Sequence, residues 1–111
     1  MKLTETQIKN IILEAQTAAA NATAEYLGTL GGDTYPCGFA WVRIKPARGA
    51  FVKVLKDINL GRTDEYEGGF VVYNPSGNYC QNMDAKMAGA RAFANALKLH
   101  GVNAVPEQRM D

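Results

Sequence analysis

Hydrophobic and polar positions recur along this chain with two different periods, and the switches between them mark its elements. Near the start, Ile8, Ile11, Ile12, Ala15, Ala19, Ala22 and Tyr26 form one stripe at helical spacing. Thr4, with Gln7 three residues on, fits a capping box, and Leu3 with Ile8 fits a hydrophobic staple. A helix from Glu5 to about Leu27 is predicted, with small alanines that permit close approach to a partner surface. Gly28, Gly31 and Gly32 break the pattern, and Asp33 to Pro36 reads as a loop.

From Gly38 to Lys45 the period drops to two. Ala40, Val42 and Ile44 fall on one face and Phe39, Trp41, Arg43 and Lys45 on the other, the alternation of a strand. Pro46 has no N–H for the ladder, so the strand ends at Lys45. Helical spacing then returns in Phe51, Val54, Leu55 and Ile58, with Leu60 and Gly61 as the exit, Gly61 supplying the left-handed residue. Arg62 to Gly69 is a polar connection with some extended character, Gly69 to Tyr73 a short buried strand, and Asn74 to Gly77 a turn. Asn82 caps a last helix with Met83, Met87, Ala90, Phe93, Ala94 and Leu97 on its core face, closed by Gly101 and Val102. Ala104 to Met110 suits an edge strand, because Pro106 is tolerated there.

These elements predict an α+β domain in the order α-β-α-β-α-β. About three strands separated by helices favour parallel neighbours, with two helices on one face of the sheet and one on the other. At 111 residues the chain makes one domain with a single core, 1–111, whose ends at 1–3 and 108–111 are free to fray. A hydrophobic fraction of 47% with 21% charged residues is that of an ordinary globular protein.

Twelve basic against eleven acidic residues argue against a duplex DNA binder with a large basic footprint. The middle of the chain, residues 41–73, is the most positive stretch, with six basic and four acidic residues. Cys37 and Cys80 with one histidine, His100, cannot make a four-ligand zinc site. No secretory start and no apolar run of transmembrane length interrupts the pattern. A cytoplasmic protein with reduced thiols, no membrane association and no cofactor is the expectation.

The candidate chemistry centres on residues 37–58. Phe39, Trp41, Arg43 and Lys45 share a strand face, aromatic for stacking a base and cationic for phosphate, which is what a nucleotide or single-stranded nucleic acid requires. The same face could instead lie under a helix, its cations reaching water along apolar stems. Lys45, Arg48 and Gly49 precede a helix N-terminus, whose free N–H groups favour an anion, though no phosphate-loop motif is present. Tyr73 and Asn78 belong to an amide- and hydroxyl-rich stretch suited to orienting a ligand or partner loop. An enzyme would have to use Cys37, with His100 as base, or the acidic run Asp64, Glu65 and Glu67. A structural role would use helix 1 as the seam of a homodimer.

The segments PCGFAWVRIKPARGAFVKVLKD, EGGFVVYNPSG and QNMDAKMAGARAFANALKLHGVNA resemble small accessory proteins encoded by tailed bacteriophages, over about residue 35 to the C-terminus. The resemblance carries no activity and no functional residue. It implies a small cytosolic accessory protein made during infection that binds or interferes with a host component, such as a host protein, rather than serving metabolism.

Overall fold

The computed structural model describes residues 3–30 and 36–110. Its elements are α1 (Glu5–Leu30), β1 (Gly38–Ile44), α2 (Ala50–Asp57), β2 (Arg62–Thr63), β3 (Phe70–Tyr73), α3 (Met83–Lys98) and β4 (Ala104–Met110). One four-stranded sheet runs in the order β2-β3-β1-β4, and every neighbouring pair is antiparallel. The fold is α+β, as expected, with one strand more than the sequence suggested.

The parallel neighbours expected from the alternating elements are not found, and the reason is topological. Helix α2 links β1 to a parallel strand, β2, and α3 links β3 to a parallel strand, β4. In each case one strand is inserted between the linked pair, so each neighbour runs the other way. The β1-α2-β2-β3-α3-β4 portion is the split β-α-β arrangement of ferredoxin-like sheets, preceded by α1.

Each start and stop has a local cause. Thr4 Oγ1 accepts from the Gln7 N–H at 3.1 Å while Gln7 Oε1 accepts from the Thr4 N–H at 2.9 Å, the reciprocal capping box. Helix α1 continues through Gly28 to Leu30; of the loop expected at Asp33 to Pro36, residues 33–35 lie outside the described residues. Helix α2 ends one turn earlier than its apolar spacing implied. The Asn59 and Leu60 N–H groups return to the Lys56 and Leu55 carbonyls with Asn59 at φ 58°, so Asn59, not Gly61, is the left-handed stop. Ile58 is consequently 43% exposed, and Val52 takes its place in the core. In α3 the Asn82 side chain accepts from the Ala85 N–H at 2.8 Å. At its far end Gly101, at φ 82°, and Val102 donate to the Lys98 and Leu97 carbonyls.

Helix α3 lies across β1 and β4, α1 packs along α3, and α2 packs on α1. Ala40, Val42 and Ile44 of β1, Phe70 and Val72 of β3 and Ala104 of β4 turn toward this layer. They close on Ile8, Ile11, Ile12, Phe93, Leu97 and Leu55. The alanine stripe of α1 is occupied within the chain. Ala15, Ala19 and Thr23 are buried, and Thr23 Oγ1 donates to the Ala85 carbonyl at 2.8 Å. Those stripe residues therefore pack within the chain.

The expected helix on the second face of the sheet is absent among the described residues. Phe39 is 44% and Tyr73 51% exposed. The strand face carrying Trp41 is open. Strand β4 pairs as far as Met110 with Gly38, so residues 108–110, expected to fray, belong to the sheet. Pro106 sits on this edge strand, as its missing donor requires.

Candidate functional site on the open sheet face

Register decides which side chains meet on the open face. Trp41 stands opposite Tyr73 of β3 and Glu107 of β4, Arg43 opposite Val71 and Val105, and Phe39 opposite Arg109. Arg62 of β2 stands opposite Val71 and joins the same face. The result is a recess of about 520 Å³, within the range of ligand pockets, bounded by Phe39, Trp41, Tyr73, Arg62, Arg109 and the Arg43 cluster. A hollow of about 430 Å³ adjoins it around the β2–β3 loop and shares Arg62, Asp64, Glu67 and Tyr73.

Three aromatic rings form the platform. The Trp41 and Tyr73 centroids are 5.9 Å apart, tilted by 47°. Cations lie over the outer rings: the Arg62 guanidinium 5.2 Å from the Tyr73 centroid, and Arg109 and Lys86 at 5.7 and 5.4 Å from that of Phe39. The Trp41 indole is fixed by its Nε1–H, which donates to Glu107 Oε1 at 2.7 Å.

Arg43 forms the floor, and it is not the free cation the sequence suggested. Its side chain is 7% exposed, and its N–H groups reach Asp64 Oδ2 at 2.8 Å, Glu67 Oε2 at 3.1 Å, both Glu107 oxygens and the Gly68 carbonyl. A guanidinium so placed satisfies donors that burial would otherwise leave unpaired. The Asp64 hydrogen bond is the main cause holding the Arg43 pKa above its ordinary value, against the opposing effect of burial. In return Arg43 holds the Asp64 carboxyl down at about 2, helped by the Tyr66 and Glu67 backbone N–H groups donating to Asp64 Oδ1. The acidic run thus folds the β2–β3 loop onto the sheet.

Of the residues singled out from sequence, the recess brings together Phe39, Trp41, Arg43 and Tyr73, and with them Asp64 and Glu67 of the acidic run. Lys45 lies exposed at the other end of β1, beside a smaller hollow with Asn103, Val105 and Glu107. Arg48 and Gly49 lie beyond it in the β1–α2 turn, Gly49 at φ 105°, and do not line the recess. Asn78 is engaged in its own turn: its carbonyl accepts from Asn74 Nδ2 and its Oδ1 accepts from the Cys80 N–H. Arg62 and Arg109 enter the site unannounced, because only the β-sheet register brings them beside the Phe39 and Trp41 face.

The proposed thiol and imidazole are far apart. Cys37 pairs with Asn82 at the start of α3, whereas His100 follows its end and faces Glu14 at 3.5 Å. Sixteen helical residues separate those ends by about 24 Å, so the two cannot form a nucleophile and base. Neither Cys37 nor Cys80 forms a disulfide among the described residues. Among the described residues no group of three or more His, Cys, Asp or Glu side chains is arranged to hold a metal ion, and no helix is long and apolar enough to cross a membrane. No family model, curated protein or solved structure matches the chain.

Proposed function

We propose that this chain is a small non-catalytic binding protein that takes single-stranded nucleic acid across its open sheet face. The observation that carries the reading is the row of Phe39, Trp41 and Tyr73 on two neighbouring central strands, under no helix among the described residues and flanked by arginines. Every base has a face that can stack on such rings, and each stacked base contributes about 1–3 kcal/mol. The planar Arg62 guanidinium already occupies the place over Tyr73 that a base would take. On displacement it is free to meet a phosphate. By analogy, RNA-recognition modules also stack bases on aromatics of a four-stranded sheet.

An interface with a host protein would use the same residue types. The concave recess with planar cations over its rings favours a base instead. In keeping with the phage resemblance, the role proposed is that of an accessory protein in the cytoplasm of an infected cell.

The chain's single tryptophan makes the test direct. Titration with a single-stranded oligonucleotide at low salt should quench Trp41 fluorescence saturably. With Arg62 and Arg109 as phosphate contacts, log K should fall with log salt at a slope of about −1.4. Phe39→Ala with Tyr73→Ala should weaken binding at least about 30-fold while the melting temperature holds, since both rings are half exposed. Unchanged fluorescence with every single strand tried would sink the proposal.

A further inference from the structure

The floor and the rim of the recess carry opposite charge. On the floor one guanidinium, Arg43, faces three carboxylates, Asp64, Glu67 and Glu107, which leaves an acidic excess. At the rim Arg62 and Arg109 lie over aromatic rings and form no ion pair among the described residues. A nucleotide has the complementary order, with an anionic phosphate outside and, in cytosine, adenine and guanine, an exocyclic amino donor on the base edge.

The hydrogen bonds within the cluster identify which carboxylate is free to read that donor. Asp64 is saturated, its Oδ2 held by Arg43 and its Oδ1 by the Tyr66 and Glu67 backbone N–H groups. Glu107 is engaged through both oxygens by Arg43 Nε, and Trp41 adds a second donor to Oε1. Glu67 differs. Its Oε2 accepts from Arg43 at 3.1 Å, its Oε1 accepts nothing from any described residue, and its side chain is 74% exposed at the mouth of the recess. Arg43 therefore tethers Glu67 by one oxygen and leaves the other without a donor in the lining of the recess.

Resting on the reading above, we infer that the recess selects amino-bearing bases over uracil and thymine, and that Glu67 is the residue that selects them. An amino group donates to the unused Glu67 oxygen. Uracil and thymine present a carbonyl at the corresponding position, and their one edge donor, N3–H, is flanked by two carbonyl oxygens that a carboxylate repels. Asp64 and Glu107 contribute only by placing Arg43, and so act as positioning residues.

The probes are oligo(dC) and oligo(dU) of equal length, which share ring size and backbone and differ at that edge. Trp41 quenching should report about tenfold tighter binding of oligo(dC). Glu67→Gln, whose amide both donates and accepts, should bring the two within about twofold of each other, and the exposed position leaves the fold intact. Equal binding of both strands by the unaltered protein overturns the selectivity and leaves the nucleic-acid reading standing. A cytosine preference that survives Glu67→Gln overturns the role of Glu67. Binding of neither strand overturns both.

Discussion

Arg43→Met keeps the apolar stem of the floor residue and removes its guanidinium, and the structure sets the size of the consequence. The lost group is 7% exposed and bonded to three carboxylates and a backbone carbonyl. Removing one partner from a buried charge cluster costs about 3–5 kcal/mol when the charges left behind stay dry. Here Glu67 and Glu107, at 74% and 32% exposed, rehydrate readily, so the expected loss is near the lower end, about 3 kcal/mol. Against a total of about 5–15 kcal/mol that is a large fraction, and it corresponds to a fall in melting temperature of about 12 °C. The loss should also depend on pH. The Asp64 carboxyl is held at about 2 by Arg43, below its unfolded value near 4. A depressed carboxylate contributes stability that is complete above the unfolded value and disappears as pH falls through the folded one. Urea unfolding of both proteins should therefore show the full gap at neutral pH and a shrinking gap between about pH 4 and pH 2. A loss below about 1 kcal/mol at neutral pH, or a gap that ignores acid, would refute the assignment of Arg43 as the tie that holds the β2–β3 loop to the sheet.

Gly89→Ala tests the closeness of α1 and α3. Its new methyl would lie 2.9 Å from Ser76 Cβ and 3.1 Å from the Ala19 carbonyl, and against Thr23 Oγ1. Although alanine is the better helix former by about 1 kcal/mol, thermal melts should show a net loss of about 1–3 kcal/mol. Asn82→Ala removes the cap that accepts the Ala85 N–H and should lower the urea midpoint by the equivalent of about 1 kcal/mol without changing the slope of the transition.

The helices at either end, the central strand and the edge strand were legible because each is written in local chemistry. Thr4 with Gln7, Asn82, Gly101 and Pro106 all act within a few residues of themselves. The alternation in β1 also placed Trp41 and Arg43 on one face correctly. What could not be read is what depends on chain crossing. Strand β2 is only Arg62 and Thr63, too short to show a period, and without it the insertion of β3 between β1 and β2 has no trace. Arg43 finds its carboxylates 21, 24 and 64 residues away, and no pattern near position 43 announces them. For the same reason the aromatic strand and the Lys45 to Gly49 turn looked like one surface. They occupy opposite ends of β1, and the recess is completed instead by Arg62 and Arg109 from the two edge strands.

The central claim is that the uncovered sheet face, and not the turn before α2 or the helical layer, is where this protein engages its ligand. Mapping backbone and side-chain NMR shifts on addition of a single-stranded oligonucleotide examines it residue by residue. The account predicts changes concentrated at Phe39, Trp41, Tyr73, Arg62, Arg109 and the Trp41 Nε1–H. Changes confined to residues 45–49 or to α1 and α3, with the Trp41 indole signal unmoved, would contradict it.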